Sequence, residues 1–246
     1  MNPHLIMFHH FHGGNTKEYG QGSLSASDFE NIILFIGLDR ILPAKEFLKR
    51  QKNNDLLPHH VALSFDDGLR GHYHIVWPIL KKYNLTAFFF VYTCTFENRL
   101  EMLETYKFVQ KLYYSTTDDF SKSFLESAST LIGERVTSAL ATHQCAEYLQ
   151  QHVFYSDLDR YFRYIRDKVL SKEEFMQVLK ELCGQTIDFH ELLHEDKVWM
   201  TKEQIIELHS NQNIIGIHTV DHLVNIDSIS KEMQYDQYSQ CQKTLA

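Results

Sequence analysis

The chain has 246 residues, 43% hydrophobic and 23% charged, enough to bury a sizeable core in one or two domains. Its net charge of −8 and the lack of a basic block exclude an electrostatic nucleic-acid footprint. No apolar run approaches the ~20 residues of a membrane span, and Met1-Asn2-Pro3-His4-Leu5 lacks the basic start of a secretory leader. The expectation is a soluble, cytoplasmic protein. Cys94, Cys145, Cys183 and Cys241 are scattered, with no Cys-x-x-Cys pair, and read as reduced thiols.

In chain order, residues 5–10 form the first strand candidate, followed by a His- and Gly-rich loop to Gly22. Ser27-x-x-Glu30 has capping-box spacing, and Phe29, Ile32, Ile33 and Ile36 follow at helical intervals. Val61-Ala62-Leu63-Ser64-Phe65 is a buried-strand pattern ending at Asp66-Asp67-Gly68. A helix from about Gly71 to Tyr83 follows, disturbed by Pro78, and then a strand over 86–92. Residues 97–197 change character, becoming polar, aromatic-studded and helical in spacing. There Asp118-Asp119 reads as a helix-capping turn, Ser171-x-x-Glu174 caps a segment that Gly184 stops, and Phe154, Tyr155, Tyr161, Phe162 and Tyr164 read as core packing. Thr201-x-x-Gln204 opens another helix. Asn213 supplies a left-handed turn, and Ile214-Ile215-Gly216-Ile217 is a strand ending at His218. A last helical segment runs from Ser228 to about Thr244. Strands alternating with helices imply a parallel sheet or barrel. Its parts are 1–96 and 198–246, with 97–197 inserted between them.

The chemistry gathers where two buried strands end. Ser64-Phe65-Asp66-Asp67-Gly68 and His218-Thr219-Val220-Asp221-His222 offer two carboxylates and two imidazoles. Oxygen and nitrogen donors of this kind suit Zn²⁺ with positions left open for water and substrate. Adjacent aspartates leave a strand end in different directions, so one can hold the metal while the other takes a proton from an activated water. His218 and His222, four apart, are expected on one side of a helical turn. A rival is His190-Glu191-Leu192-Leu193-His194, which matches the H-E-x-x-H pattern of zinc metalloproteases, with Glu207 as a third donor. No Gly-rich phosphate loop appears.

The two strand-end motifs, the approach Trp199-Met200-Thr201-Lys202-Glu203-Gln204-Ile205 and the opening Met7-Phe8-His9-His10 together resemble the polysaccharide deacetylase family of metal-dependent carbohydrate N-deacetylases. The resemblance covers 5–96 and 198–245. It implies an α/β fold, an incomplete, distorted (β/α) barrel with a large helical insertion. It also implies Asp67, His218 and His222 as ligands of a divalent metal, most simply Zn²⁺, and Asp66 as catalytic base. The reaction implied is removal of an N-acetyl group from an amino sugar of a polysaccharide or its precursor. The family's later Arg- and Pro-containing motif and late histidine have no counterpart after His222, so a truncated member without its general acid is expected, as an enzyme or an inactive homologue. Asn213 and Leu223 depart from the family's usual Gly and Pro. His9, His10 or His12 could supply a proton near the site. A non-catalytic metal- or glycan-binding domain is the alternative, with an oligomer or a complementary fragment as a further partner.

Overall fold

A computed structural model describes residues 2–13, 22–184, 189, 198–223 and 226–246. It contains two compact units, Met1–Glu101 together with Phe189–Ala246, and Met102–Asp188.

The first unit is built on β1 (His4–Phe8), β2 (Val61–Asp66), β3 (Phe88–Val91) and β4 (Ile214–Ile217), paired parallel in the order β1-β2-β3-β4. This is an α/β architecture with an open, incomplete barrel. All six residues of β2 are buried, as expected of a central parallel strand covered on both faces. The period-two alternation decides which face each side chain serves. Val61, Leu63, Phe65 and Phe89 join Phe29 and Ile33 of α1 (Ala26–Ile36) and Trp77 and Leu80 of α3 (Trp77–Lys82). Ala62 and Phe88 face the other way, onto Ala44 and Phe47 of α2 (Ala44–Asn53). Gly216 in β4 lies against Phe90; a Cβ there would fall 2.4 Å from the ring, so a larger residue would have to displace the Phe90 side chain for the strands to pair at this register.

The register aligns the carboxyl ends. Phe8 pairs with Phe65, Asp66 with Phe90, and Val91 with Ile217. The residues that leave β2, β3 and β4 therefore emerge together, where parallel α/β sheets carry their working loops.

Two local expectations are corrected, the cap of α1 and the left-handed turn before β4, and a third, the disturbance near Pro78, takes a definite form. The first helix is capped by Ser25: its Oγ accepts the Asp28 N–H at 3.1 Å, and Asp28 accepts the Ser25 N–H at 3.0 Å. Ser27 has the same spacing to Glu30 but already lies inside α1, and Glu30 pairs with Lys82 and the Tyr83 hydroxyl instead. The helix expected from about Gly71 to Tyr83 forms, and its regularity is disturbed just ahead of Pro78. A π-turn at His72–Val76 precedes it, with the Trp77 N–H reaching back to His72 O, and the widened turn leaves room for the ring in the first turn of α3. The left-handed residue before β4 is Gln212, at φ 70°, and not Asn213. Asn213 is fully buried and ties two elements: Oδ1 accepts the Ala87 N–H at 2.9 Å and Nδ2 donates to Leu208 O at 3.0 Å. Leu208 belongs to α10 (Lys202–Ser210), which opens with the expected Thr201–Gln204 capping box.

The second unit is helical: α4 (Met102–Tyr113), α5 (Thr117–Ile132), α6 (Glu134–Leu140), α7 (His143–Glu147), α8 (Asp157–Tyr164) and α9 (Lys172–Cys183). Tyr106, Phe120, Phe124, Phe162 and Phe175 interlock as its aromatic core, with centroid separations such as 5.0 Å for Phe124–Phe162. Of the sequence's aromatic group, Phe162 is buried there while Phe154 is exposed. The capping box at Ser171–Glu174 and the stop at Gly184 form as expected, and Asp118 and Asp119 lie in the first turn of α5. The chain closes with α11 (Lys231–Leu245) in the first unit. All four cysteines are free and buried, and among the described residues no helix is long and apolar enough to cross a membrane.

Candidate metal centre

Asp67 follows the end of β2 and His218 follows the end of β4. His218 is fixed there by its N–H, which donates to Val91 O at 3.1 Å. His222 reaches the same place through a tight loop rather than the helical turn the spacing suggested. Thr219 and His222 take φ 67° and 50°, and the Thr219 hydroxyl accepts the His222 N–H at 3.1 Å. Asp67 is at φ 81°. Three non-glycine residues in the left-handed region, each costing about 1–3 kcal/mol, thus lie within the two motifs. Gly68, at φ 62°, completes the first turn, with Val91 3.2 Å from where a Cβ would stand.

The result is a compact donor set. One ligand atom each from Asp67, His218 and His222 lie within 4.8 Å of one another. His218 Nε2 and His222 Nε2 are each 3.3 Å from Asp67 Oδ1. Ligands bound at about 2.0–2.1 Å around a tetrahedral ion stand about 3.3 Å apart, so the two separations from Asp67 are those such an ion would need. Asp66 sits beside the set, 8% exposed, with Oδ1 lacking a hydrogen-bond partner among the described residues. Burial raises its carboxyl above the ordinary value, opposed by the charges of His218 and His9.

Several supporting residues carry no signal in the sequence. Tyr92, one step past β3, lies under both imidazoles, nearly parallel to His222 at 4.9 Å and to His218 at 6.5 Å, and its hydroxyl accepts from Trp199 Nε1. Glu101, 1% exposed, places Oε1 3.4 Å from His222 Nδ1. Gln237 of α11 holds the second motif from behind. Its Oε1 accepts the Val220 and Asp221 N–H groups at 3.0 and 2.9 Å, and its Nε2 donates to Asp221 at 2.7 Å. Arg99 pairs with the same aspartate. None of these stands near its partner in sequence, so no spacing rule finds them.

His9 leaves β1 at the same end, and its carbonyl accepts from His72 Nε2 at 2.6 Å. His10 and His12 are tied by backbone bonds to Leu24, and His12 is buried. His190-Glu191-Leu192-Leu193-His194 lies outside the described residues, so the structure does not bear on it; Glu207 takes the Tyr73 hydroxyl.

His72 has a consequence of its own. It is fully buried among Phe11, Phe65 and Phe89, and burial pushes its pKa down to about 4. Between pH 6.5 and about 4 the unfolded chain binds a proton that the folded chain refuses, so stability falls as pH drops through that window. The shift corresponds to about 3 kcal/mol. Urea unfolding at pH 7 and pH 4 is expected to show that acid loss in the wild type, and a loss smaller by about this amount in His72→Gln.

A match to the family described as polysaccharide deacetylase covers residues 53–175, half of the chain and including the Asp66-Asp67 motif. The chain belongs to the polysaccharide deacetylase family. Among solved structures it is similar to the Streptococcus pyogenes deacetylase PplD in complex with acetate, at TM-score 0.51 and 16% identity over all of this chain and 68% of that one. That likeness concerns the fold. A de-N-acetylase from Aggregatibacter actinomycetemcomitans aligns at 21% identity and TM-score 0.33, over 39% of this chain and 40% of that one. No curated protein sequence matches the chain.

Proposed function

We propose that the protein is a zinc-dependent hydrolase that removes an N-acetyl group from an amino sugar of a polysaccharide or its precursor. The observation that carries this reading is the Asp67–His218–His222 donor set at the strand ends, with a second carboxylate, Asp66, beside it. Asp67, His218 and His222 would hold the ion. A zinc ion in such a site acidifies water and polarises a carbonyl. Asp66 is the base: a carboxylate whose pKa burial raises above the ordinary carboxylate value holds a proton more readily than an exposed one. Tyr92 packs against the face of His222 and lies beside His218, Gln237 holds the backbone between them and Arg99 the Asp221 side chain. Family membership supplies the substrate class, an N-acetylated carbohydrate.

The test is acetate release from penta-N-acetylchitopentaose by the purified chain, with and without added zinc. Zinc-dependent acetate release is expected. Zinc bound tightly with no acetate released from this or other N-acetylated glycans would overturn the hydrolase reading in favour of a metal- or glycan-binding domain.

A further inference from the structure

We infer that Glu101 is a positioning residue that fixes His222 in the tautomer and orientation a cation needs. The inference rests on the proposed metal site. His222 has two ring nitrogens with different neighbours. Nε2 lies 3.3 Å from Asp67 Oδ1, on the side of the donor set, and Nδ1 lies 3.4 Å from Glu101 Oε1. A ring that offers Nε2 to a cation carries its proton on Nδ1, and the acceptor-only carboxylate of Glu101 stands 3.4 Å from that nitrogen, an ion-pair contact not closed into a hydrogen bond. Tyr92 covers the ring face at an interplanar angle of 14°, so tilt is limited from the face and rotation from the Glu101 edge.

Glu101 is 1% exposed, and a carboxylate at that depth costs several kcal/mol unless cationic or N–H partners compensate it. A carboxylate on the far nitrogen of a ligating histidine raises the ring's basicity and lowers the entropy lost when it binds. The competing account is local: Glu101 immediately precedes α4, where negative charge also favours a helix N-terminus. The two accounts differ in what they couple to. A helix-start role moves folding alone; the positioning role moves metal affinity.

Zinc affinity, read by competition with a chromophoric chelator, separates them. Glu101→Gln keeps the shape and a carbonyl oxygen but removes the charge, and is expected to weaken zinc binding about 10–100-fold. Glu101→Asp is expected to recover part of that loss. Glu104→Gln removes a carboxylate from the first turn of the same helix, where it pairs with Lys107 at 2.6 Å, and is expected to leave zinc affinity within about two-fold of wild type. Long-range ¹H–¹⁵N spectra of the metal-free wild type decide the matter even if Glu101→Gln does not fold: neutral His222 is expected to carry its proton on Nδ1 before any ion binds. Equal affinity in Glu101→Gln and wild type, or a His222 proton on Nε2, overturns the inference and leaves the hydrolase reading intact. A wild-type chain that takes up no zinc overturns the metal site itself, and the role of Glu101 with it.

Discussion

Replacing His218 with alanine is expected to cut zinc affinity by about 10²–10³-fold and to bring acetate release to background. Zinc sites of about 10–16 kcal/mol spread over four ligands amount to about 3–4 kcal/mol each, which sets the scale of the loss. His218 is the right residue to remove because it belongs to the rim rather than the core. Its backbone N–H, retained in alanine, still closes the β3–β4 pairing on Val91 O. Circular dichroism of the metal-free variant should therefore match wild type. The measurement is chelator competition on His218→Ala beside His190→Ala. Zinc kept by His218→Ala but lost by His190→Ala would move the metal to the H-E-x-x-H segment and sink the deacetylase assignment.

Asp66→Asn is expected to separate the two readouts: zinc affinity within a few-fold of wild type, kcat down by about 10²–10⁴. The backbone gives the two aspartates their different fates. Asp66 is the last residue of β2, still in register with Phe90, whereas Asp67 has left the strand at φ 81° and turned toward His218 and His222. Asparagine preserves the volume beside the donor set while removing the negative charge and with it the capacity to take a proton. Loss of zinc in Asp66→Asn would make Asp66 a ligand, and an unchanged kcat would remove it from the chemistry.

The strands and the polar residues at their ends were legible because both are encoded within a few positions. Val61–Phe65 and Ile214–Ile217 are short apolar runs bounded by polar residues, and the parallel register then brings their ends together. Capping boxes at Thr201 and Ser171 were legible for the same reason, whereas the first helix is capped by Ser25, whose partner three residues on is an aspartate and not the glutamate or glutamine the spacing rule looks for. The geometry of the second motif was not legible. A four-residue spacing suggests a helical turn, but positive φ at Thr219 and His222 folds the segment back on itself, held by bonds from another helix. Tyr92, Glu101 and Gln237 were invisible because their meaning lies in what they touch across long stretches of chain. The relation of Asn213 to Ala87, 126 positions away, is of the same kind.

The Gln237 clamp makes the site's geometry a property of α11 as much as of the loop that carries the histidines. One side chain satisfies two backbone N–H groups and one carboxylate of the ligand loop, and Cys241, one turn further along the helix, donates to Val91 O beside them. Docking the helix and shaping the loop are therefore a single ordering event, and by linkage whatever ion tightens the loop must also slow the fraying of the helix. Filling the centre is therefore expected to slow hydrogen exchange in a segment that carries none of the proposed ligands.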